Sequence, residues 1–146
     1  RTTTLKTRVI GNNHQMLRID EETNDEISAS ETKQLLNTIS AIINRKRIDV
    51  IIFEDYDKGV ISKKIIEEVV NLARKKNIPV SVDPKKRNFN YYKNVSLLKP
   101  NLKELGEGMK LDIDKGNILQ VKNAFIFDFL STSICRYIKF VKFFMS

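Results

Sequence analysis

Lys58, Lys85, Asn101 and Glu104 are the residues of this chain whose types and spacing suit a chemical task. The apolar run 78–82 ends in Asp83-Pro84-Lys85-Lys86-Arg87, and the run 95–98 ends in Lys99-Pro100-Asn101, with Glu104 one helical turn later. In parallel sheets, ligands collect outside the carboxyl ends of the strands. An ammonium group placed there neutralises phosphate oxygens, and an Asn side chain donates an amide hydrogen bond. A Glu carboxylate supplies the oxygen that a hard cation such as magnesium requires, directly or through water. Residues 55–59 form a third segment of this kind, and Lys58 adds a second ammonium. Asp83 either joins the cation's ligands or caps its own loop. Each residue also has an ordinary explanation: a Lys beside a turn is solvated, and Asp-Pro and Pro-Asn punctuate loops. Lys86 and Arg87 are read as solvated. Arrival together at three strand ends is what points to a phosphate and its metal ion.

Other chemistries are excluded by what is absent. The sequence contains no Gly-x-x-x-x-Gly-Lys-Ser/Thr loop and no Gly-x-Gly-x-x-Gly, so a nucleotide would be held without those phosphate cradles. With one His and one Cys, no Ser/His/Asp or Cys/His arrangement is proposed. His14 is expected in a hairpin turn, as a surface or lid-lining residue. Tyr91 and Tyr92 are expected to pack under their loop rather than stack on a base.

These residues need elements to position them. "LKTRVIG" and "QMLRID" alternate apolar and polar residues around "NNHQ", the pattern of strand, turn and strand. Leu35, Leu36, Ile39, Ile42 and Ile43 share one helical face, so residues 31–45 read as an amphipathic helix. Ser30 is one candidate cap, and Ser28 with Glu31 fits the capping-box spacing better. The unbroken run 48–54 reads as a strand buried on both faces. Gly59 then offers a backbone angle that other residues resist. Residues 61–77 carry apolar positions at helical spacing and end in a cationic Arg74-Lys75-Lys76, which complements the helix dipole. With the strand 78–83 this makes a βαβ unit, hence a parallel sheet and an α/β architecture. After a short turn follows a strand over 95–99; Pro100 ends it and Asn101 caps the helical turn beyond. A helix is expected over 114–125.

Residues 125–146 differ in texture and hold six of the eight Phe in the chain. Asp128, Arg136, Lys139 and Lys142 interrupt the segment too often for a membrane span. A membrane-surface helix, a buried last helix and a disrupted reading frame compete to explain it, and the abrupt change favours the third. The whole chain has 146 residues, enough for one domain with a real core, and a formal net charge of +8. Such a charge admits nucleic acid, anionic membrane surfaces or phosphorylated metabolites as partners without choosing among them. The lone Cys135 fits a reducing cytoplasm, and no secretory leader is recognisable.

In order, "TTTLKTRVIGNNHQMLRID", "DYDKGV" and "IPVSVDPKKRNFNYYKNVSLLKPNLKE" resemble the heptose-7-phosphate kinase branch of the ribokinase-like, phosphofructokinase-B carbohydrate kinases. The likeness covers about residues 2–110. It implies an α/β fold: a parallel sheet flanked by helices, here partial, with part of a small β lid. Residues 1–124 would be a partial sugar-kinase domain, with lid strands over about 5–20, a core over about 31–124 and an atypical tail over 125–146. The implied activity is ATP-dependent phosphorylation of a heptose 7-phosphate at its anomeric hydroxyl, for lipopolysaccharide precursors, in the cytoplasm. ATP and Mg2+ are the implied cofactors. Asn101 and Glu104 match the family's Asn-x-x-Glu motif, associated with magnesium and the phosphates of ATP, with Glu104 toward the metal. Lys85 and Lys58 match positions beside the phosphate-rich cleft.

The likeness also has departures. His14 stands where the branch more often has Gln, and Lys86 where a Gly often follows Asp-Pro-Lys. The 146 residues contain neither the family's sugar-contacting glycine pair nor its Gly-Ala-Gly-Asp, whose Asp takes the proton from the attacking hydroxyl. No catalytic residue is therefore assigned, and the chain is expected to have little activity alone. The rival reading is a non-catalytic α/β nucleotide-binding module; a nucleic-acid-binding domain ranks third, because no recognition motif accompanies the charge. An unpaired apolar sheet edge would invite pairing with another chain, so a homodimer belongs among the expected partners.

Overall fold

The computed structural model of the chain describes residues 3–112 and Asn117. Strands β1 (Leu5–Gly11) and β2 (His14–Glu21) pair as an antiparallel hairpin. Its turn is Asn12-Asn13 alone, with φ of 51° and 61°. Asn tolerates this left-handed region, and two-residue hairpin turns with that backbone match the twist of their strands. His14 is accordingly the first residue of β2, opposite Gly11, and not a turn residue as expected. The register shifts between Val9 and Ile10, so that Val9 faces Leu17 while Ile10 faces Gln15. One face of the hairpin carries Leu5, Val9, Leu17 and Ile19, all exposed among the described residues.

The connector after the hairpin leads to α1 (Ala29–Arg45). Ser28 closes its start with the reciprocal capping box that the sequence favoured: Glu31 N–H donates to Ser28 Oγ, and Ser28 N–H donates to Glu31 Oε2 at 2.8 Å. The Ser28 hydroxyl and backbone N–H hold the Glu31 carboxyl down at about 2, against an ordinary 4.5. A depressed carboxyl stabilises the fold fully above its unfolded value and loses that contribution as pH falls through the folded one. The cap should therefore persist at pH 4 and release toward pH 2. An NMR titration of the Glu31 side chain with a midpoint near 4.5 would contradict this.

The core sheet has the order β3-β4-β5, with β3 (Ile51–Glu54), β4 (Val80–Asp83) and β5 (Leu97–Leu98) all parallel. β3 is shorter than the apolar run that predicted it because its partner starts late. Pro79 has no N–H to offer the ladder, so pairing begins at Ile51↔Val80, with Ile51 N–H donating to Pro79 O at 3.0 Å. Nor is β3 buried on both faces: Phe53 is buried, whereas Ile52, pointing to the opposite face, is 58% exposed. Ser96 fits β5 to β4 twice, its N–H donating to Val80 O and its hydroxyl accepting from Val80 N–H.

Between β3 and β4 runs α2 (Lys63–Lys75), capped by the Ser62 side chain, which accepts from Ile65 N–H. Its face of Ile65, Ile66, Val69, Val70 and Ala73 is buried against Phe53, Val80 and Val82 of the sheet. A 3-10 helix (Lys86–Tyr91) follows β4, and α3 (Leu102–Met109) follows β5. α3 presses Gly108 onto Phe89; a Cβ there would stand 2.4 Å from the ring. Tyr92 is fully buried and meets Phe53 edge-on, so it packs under its loop as expected, whereas Tyr91 does not: it is exposed, with Lys63 Nζ 5.5 Å from its ring centre. The helix expected over 114–125, Asn117 apart, and the tail 125–146 lie outside the described residues. Among the described residues, no helix is long and apolar enough to cross a membrane.

Candidate functional site

The three parallel strands end nearly level, Glu54 opposite Asp83 and Val82 opposite Leu98, so the segments that follow emerge on one side of the sheet. Pro100 stops β5 from continuing, and Asn101 turns the chain into α3 with a second capping box. Asn101 Oδ1 accepts from Glu104 N–H, and Glu104 Oε2 accepts from Asn101 N–H, both at 2.9 Å. The cap that starts the helix therefore also aims the Glu104 carboxylate back at the strand ends. Its other oxygen, Oε1, accepts from Lys85 Nζ in a partly buried ion pair. Lys99 Nζ lies 3.4 Å from Asp83 Oδ1 beside it.

Lys85, Asn101 and Glu104, three of the four expected site residues, thus meet directly. Burial pushes the Glu104 carboxyl up, but hydrogen bonds from Lys85 and the Asn101 N–H, with the charges of Lys85 and Lys99, outweigh it and hold it below its ordinary value. The Lys85 ammonium is raised, chiefly by its hydrogen bond to Glu104. Lys58, the fourth, lies elsewhere. It pairs with Glu22 at the end of the hairpin and lines a cavity of about 530 Å³ with Lys6, Glu54 and Tyr56.

Residues whose partners lie far along the chain hold these segments in place. Asp55, 4% exposed, accepts from Tyr92 Oη at 2.7 Å and from Asn88 Nδ2 at 3.0 Å through one oxygen. Through the other it accepts from Asp57 N–H at 2.8 Å, closing its own turn. One carboxylate so ties the loop that carries Lys58 to the loop that carries Lys85. Burial, then the bond to Asp55, pushes the Tyr92 phenol far above its ordinary range, so it remains a donor. Arg87 is not simply solvated, as expected from its loop: Nε pairs with Asp57 at 2.7 Å and Nη1 donates to Asn24 O at 3.2 Å. The hint in the sequence was a carboxylate directly after an apolar run. Its partners lie 33 and 37 residues away, beyond any local pattern.

The donor set fits magnesium rather than a transition metal. Among the described residues no three His, Cys, Asp or Glu side chains converge as a cage. Magnesium keeps several waters and is commonly held through one or two carboxylates plus phosphates. Glu104 offers one such carboxylate, while Asp83 is engaged by Lys99.

The chain is similar to the bifunctional protein HldE of Geobacter sulfurreducens, 41% identical over 104 residues, which is 71% of this chain and 21% of that protein. It is 38% identical over 114 residues to HldE of Helicobacter pylori, 78% of this chain and 24% of that protein. It thus spans roughly a fifth to a quarter of the length of the curated relatives it matches. Phosphofructokinase-2 from Escherichia coli superposes with a TM-score of 0.57 at 16% identity, over 74% of this chain and 35% of that one. A possible 1-phosphofructokinase from Thermotoga maritima does so with a TM-score of 0.57 at 15% identity, over 89% and 40%. No protein-family model matches the chain.

Proposed function

We propose, for a chain that is homologous to a segment of the HldE proteins and has the α/β fold of ribokinase-like kinases, that its strand ends form the magnesium–nucleotide side of a sugar-kinase site. The observation that carries this is the meeting of Lys85, Asn101 and Glu104 where three parallel strands end. Glu104 would hold Mg2+ through its waters, Lys85 the phosphate oxygens, and the Asn101 amide a further oxygen. Bound Mg2+ supplies charge neutralisation at the phosphates, which in phosphoryl transfer is much of catalysis. Lys58, beneath the hairpin, faces the side where the sugar would enter. We further propose a heptose 7-phosphate as the acceptor, phosphorylated by ATP at its anomeric hydroxyl in lipopolysaccharide precursor synthesis in the cytoplasm.

The chain's own residues bind and orient in this scheme. The Gly-Ala-Gly-Asp whose Asp takes the sugar proton in the family the chain resembles does not occur in these 146 residues, and general-base catalysis alone is worth about 10²–10⁴ in rate. These 146 residues should accordingly bind Mg–ATP yet turn over far below the roughly 1–100 s⁻¹ of ordinary kinases. A coupled assay with ATP, Mg2+ and heptose 7-phosphate measures this. Turnover in the ordinary range would show that the chain supplies its own general base. Absence of Mg–nucleotide binding by calorimetry would remove the assignment of the site.

A further inference from the structure

The Lys85–Glu104 contact has a consequence for how the two ligands bind. Resting on the site assignment above, we propose that this ion pair couples magnesium to nucleotide, so that each ligand admits the other and neither binds well alone. The strand-end cluster of Asp83, Lys85, Lys99 and Glu104 has two carboxylates and two ammoniums, paired across the loops. Its charges are already satisfied.

Magnesium arriving alone must take Glu104 from Lys85. It leaves an ammonium stranded beside a divalent cation, and like charges that close oppose each other strongly. A polyphosphate arriving alone must take Lys85 from Glu104. The carboxylate then loses its cation while its side chain is only 9% exposed. It cannot swing out to water without releasing Asn101 N–H, which opens the start of α3. A buried charge deprived of its partner is strongly unfavourable. When both ligands arrive together the groups exchange partners: Glu104 passes to the metal, Lys85 to the phosphate, and every charge keeps a counter-charge. The exchange asks most of Lys85, whose side chain is 37% exposed and can turn outward, while Glu104 keeps its bond to Asn101 N–H.

The test uses the 146-residue chain with MgCl2 and a non-hydrolysable ATP analogue, each alone and together, followed by calorimetry and by the Glu104 amide shift in NMR. In the wild type, the analogue should bind about 5–150-fold tighter with saturating Mg2+ than without it, the usual range of coupling between sites. Lys85→Met keeps the stem and removes the charge. It should bind Mg2+ alone more tightly than wild type, bind the analogue more weakly, and shrink the coupling to within about twofold. Glu104→Gln retains an oxygen for the Asn101 N–H and should bind the metal-free analogue more tightly than wild type. Gains of this kind cannot come from damage to the fold. If both substitutions weaken both ligands, the pair is scaffolding and the coupling proposal fails while the site stands. If the wild type binds no analogue even with Mg2+, the site assignment fails and the coupling with it.

Discussion

Replacing Gly59 with alanine should destabilise the chain by about 3 kcal/mol and loosen the hairpin from the core. Gly59 has φ of +76°, a region in which an L side chain costs about 1–2 kcal/mol. An added Cβ would stand 1.9 Å from Asp25 O and 2.9 Å from Asn24 O, in the backbone of the connector after the hairpin. Backbone cannot rotate aside like the end of a flexible side chain, so overpacking adds a further 1–3 kcal/mol or so. The segment that must yield is the one held by Ile27 N–H donating to Gly59 O and by Arg87 donating to Asn24 O. Lys58, the residue before it, would also lose its fixed approach to Glu22. Urea denaturation reads the stability, and hydrogen exchange at the Ile27 amide reads the connector. A loss below about 0.5 kcal/mol, with Ile27 still protected, would mean that the connector does not bear on Gly59 in solution.

The second large effect is expected at Asp55. Asp55→Ala leaves the Tyr92 hydroxyl and one Asn88 amide hydrogen without their acceptor in a buried site. Each stranded donor costs about 1–3 kcal/mol, so the sum is about 3 kcal/mol. Asp55→Asn keeps one acceptor oxygen and should lose about half as much. Tyr92→Phe removes one of the same hydrogen bonds, one made to a carboxylate and so worth about 1.5–3 kcal/mol. The double substitution should cost less than the sum of the singles, because both remove one shared interaction. Strict additivity in the double-mutant cycle, or an Asp55→Ala protein as stable as wild type, would show that the cluster does not join the two loops. Nucleotide affinity measured on the same proteins should fall in Asp55→Ala, since Lys85 immediately precedes the 3-10 helix that the cluster braces.

Much of this protein was legible from its sequence because the relevant signals are local. Helical spacing of apolar residues placed α1 and α2. The Ser28/Glu31 spacing picked out the capping box, and Asn101 was recognisable as the cap of α3. The alternation of strand and helix between residues 48 and 83 implied parallel pairing, and with it the side of the sheet where a ligand would sit. Lys85 and Glu104 stood out as candidates because strand ends and helix caps both leave marks in a few consecutive residues, and the fold brings the two into contact.

The tertiary structure decided what depended on partners far along the chain. An apolar run states that a strand is buried, but its length and burial depend on its neighbours: Pro79 shortened β3, and the face that carries Ile52 stays exposed among the described residues. Arg87 sits in a polar loop that looks solvated, and only folding brings Asn24 and Asp57 to it. Lys58 and Lys85 have the same chemistry in sequence, yet Glu22 takes one and Glu104 the other. Caps and periodicities are interactions within a turn or two of chain, so composition and spacing determine them. Ion pairs and buried hydrogen bonds are made across loops, so only the packed fold determines which charge meets which.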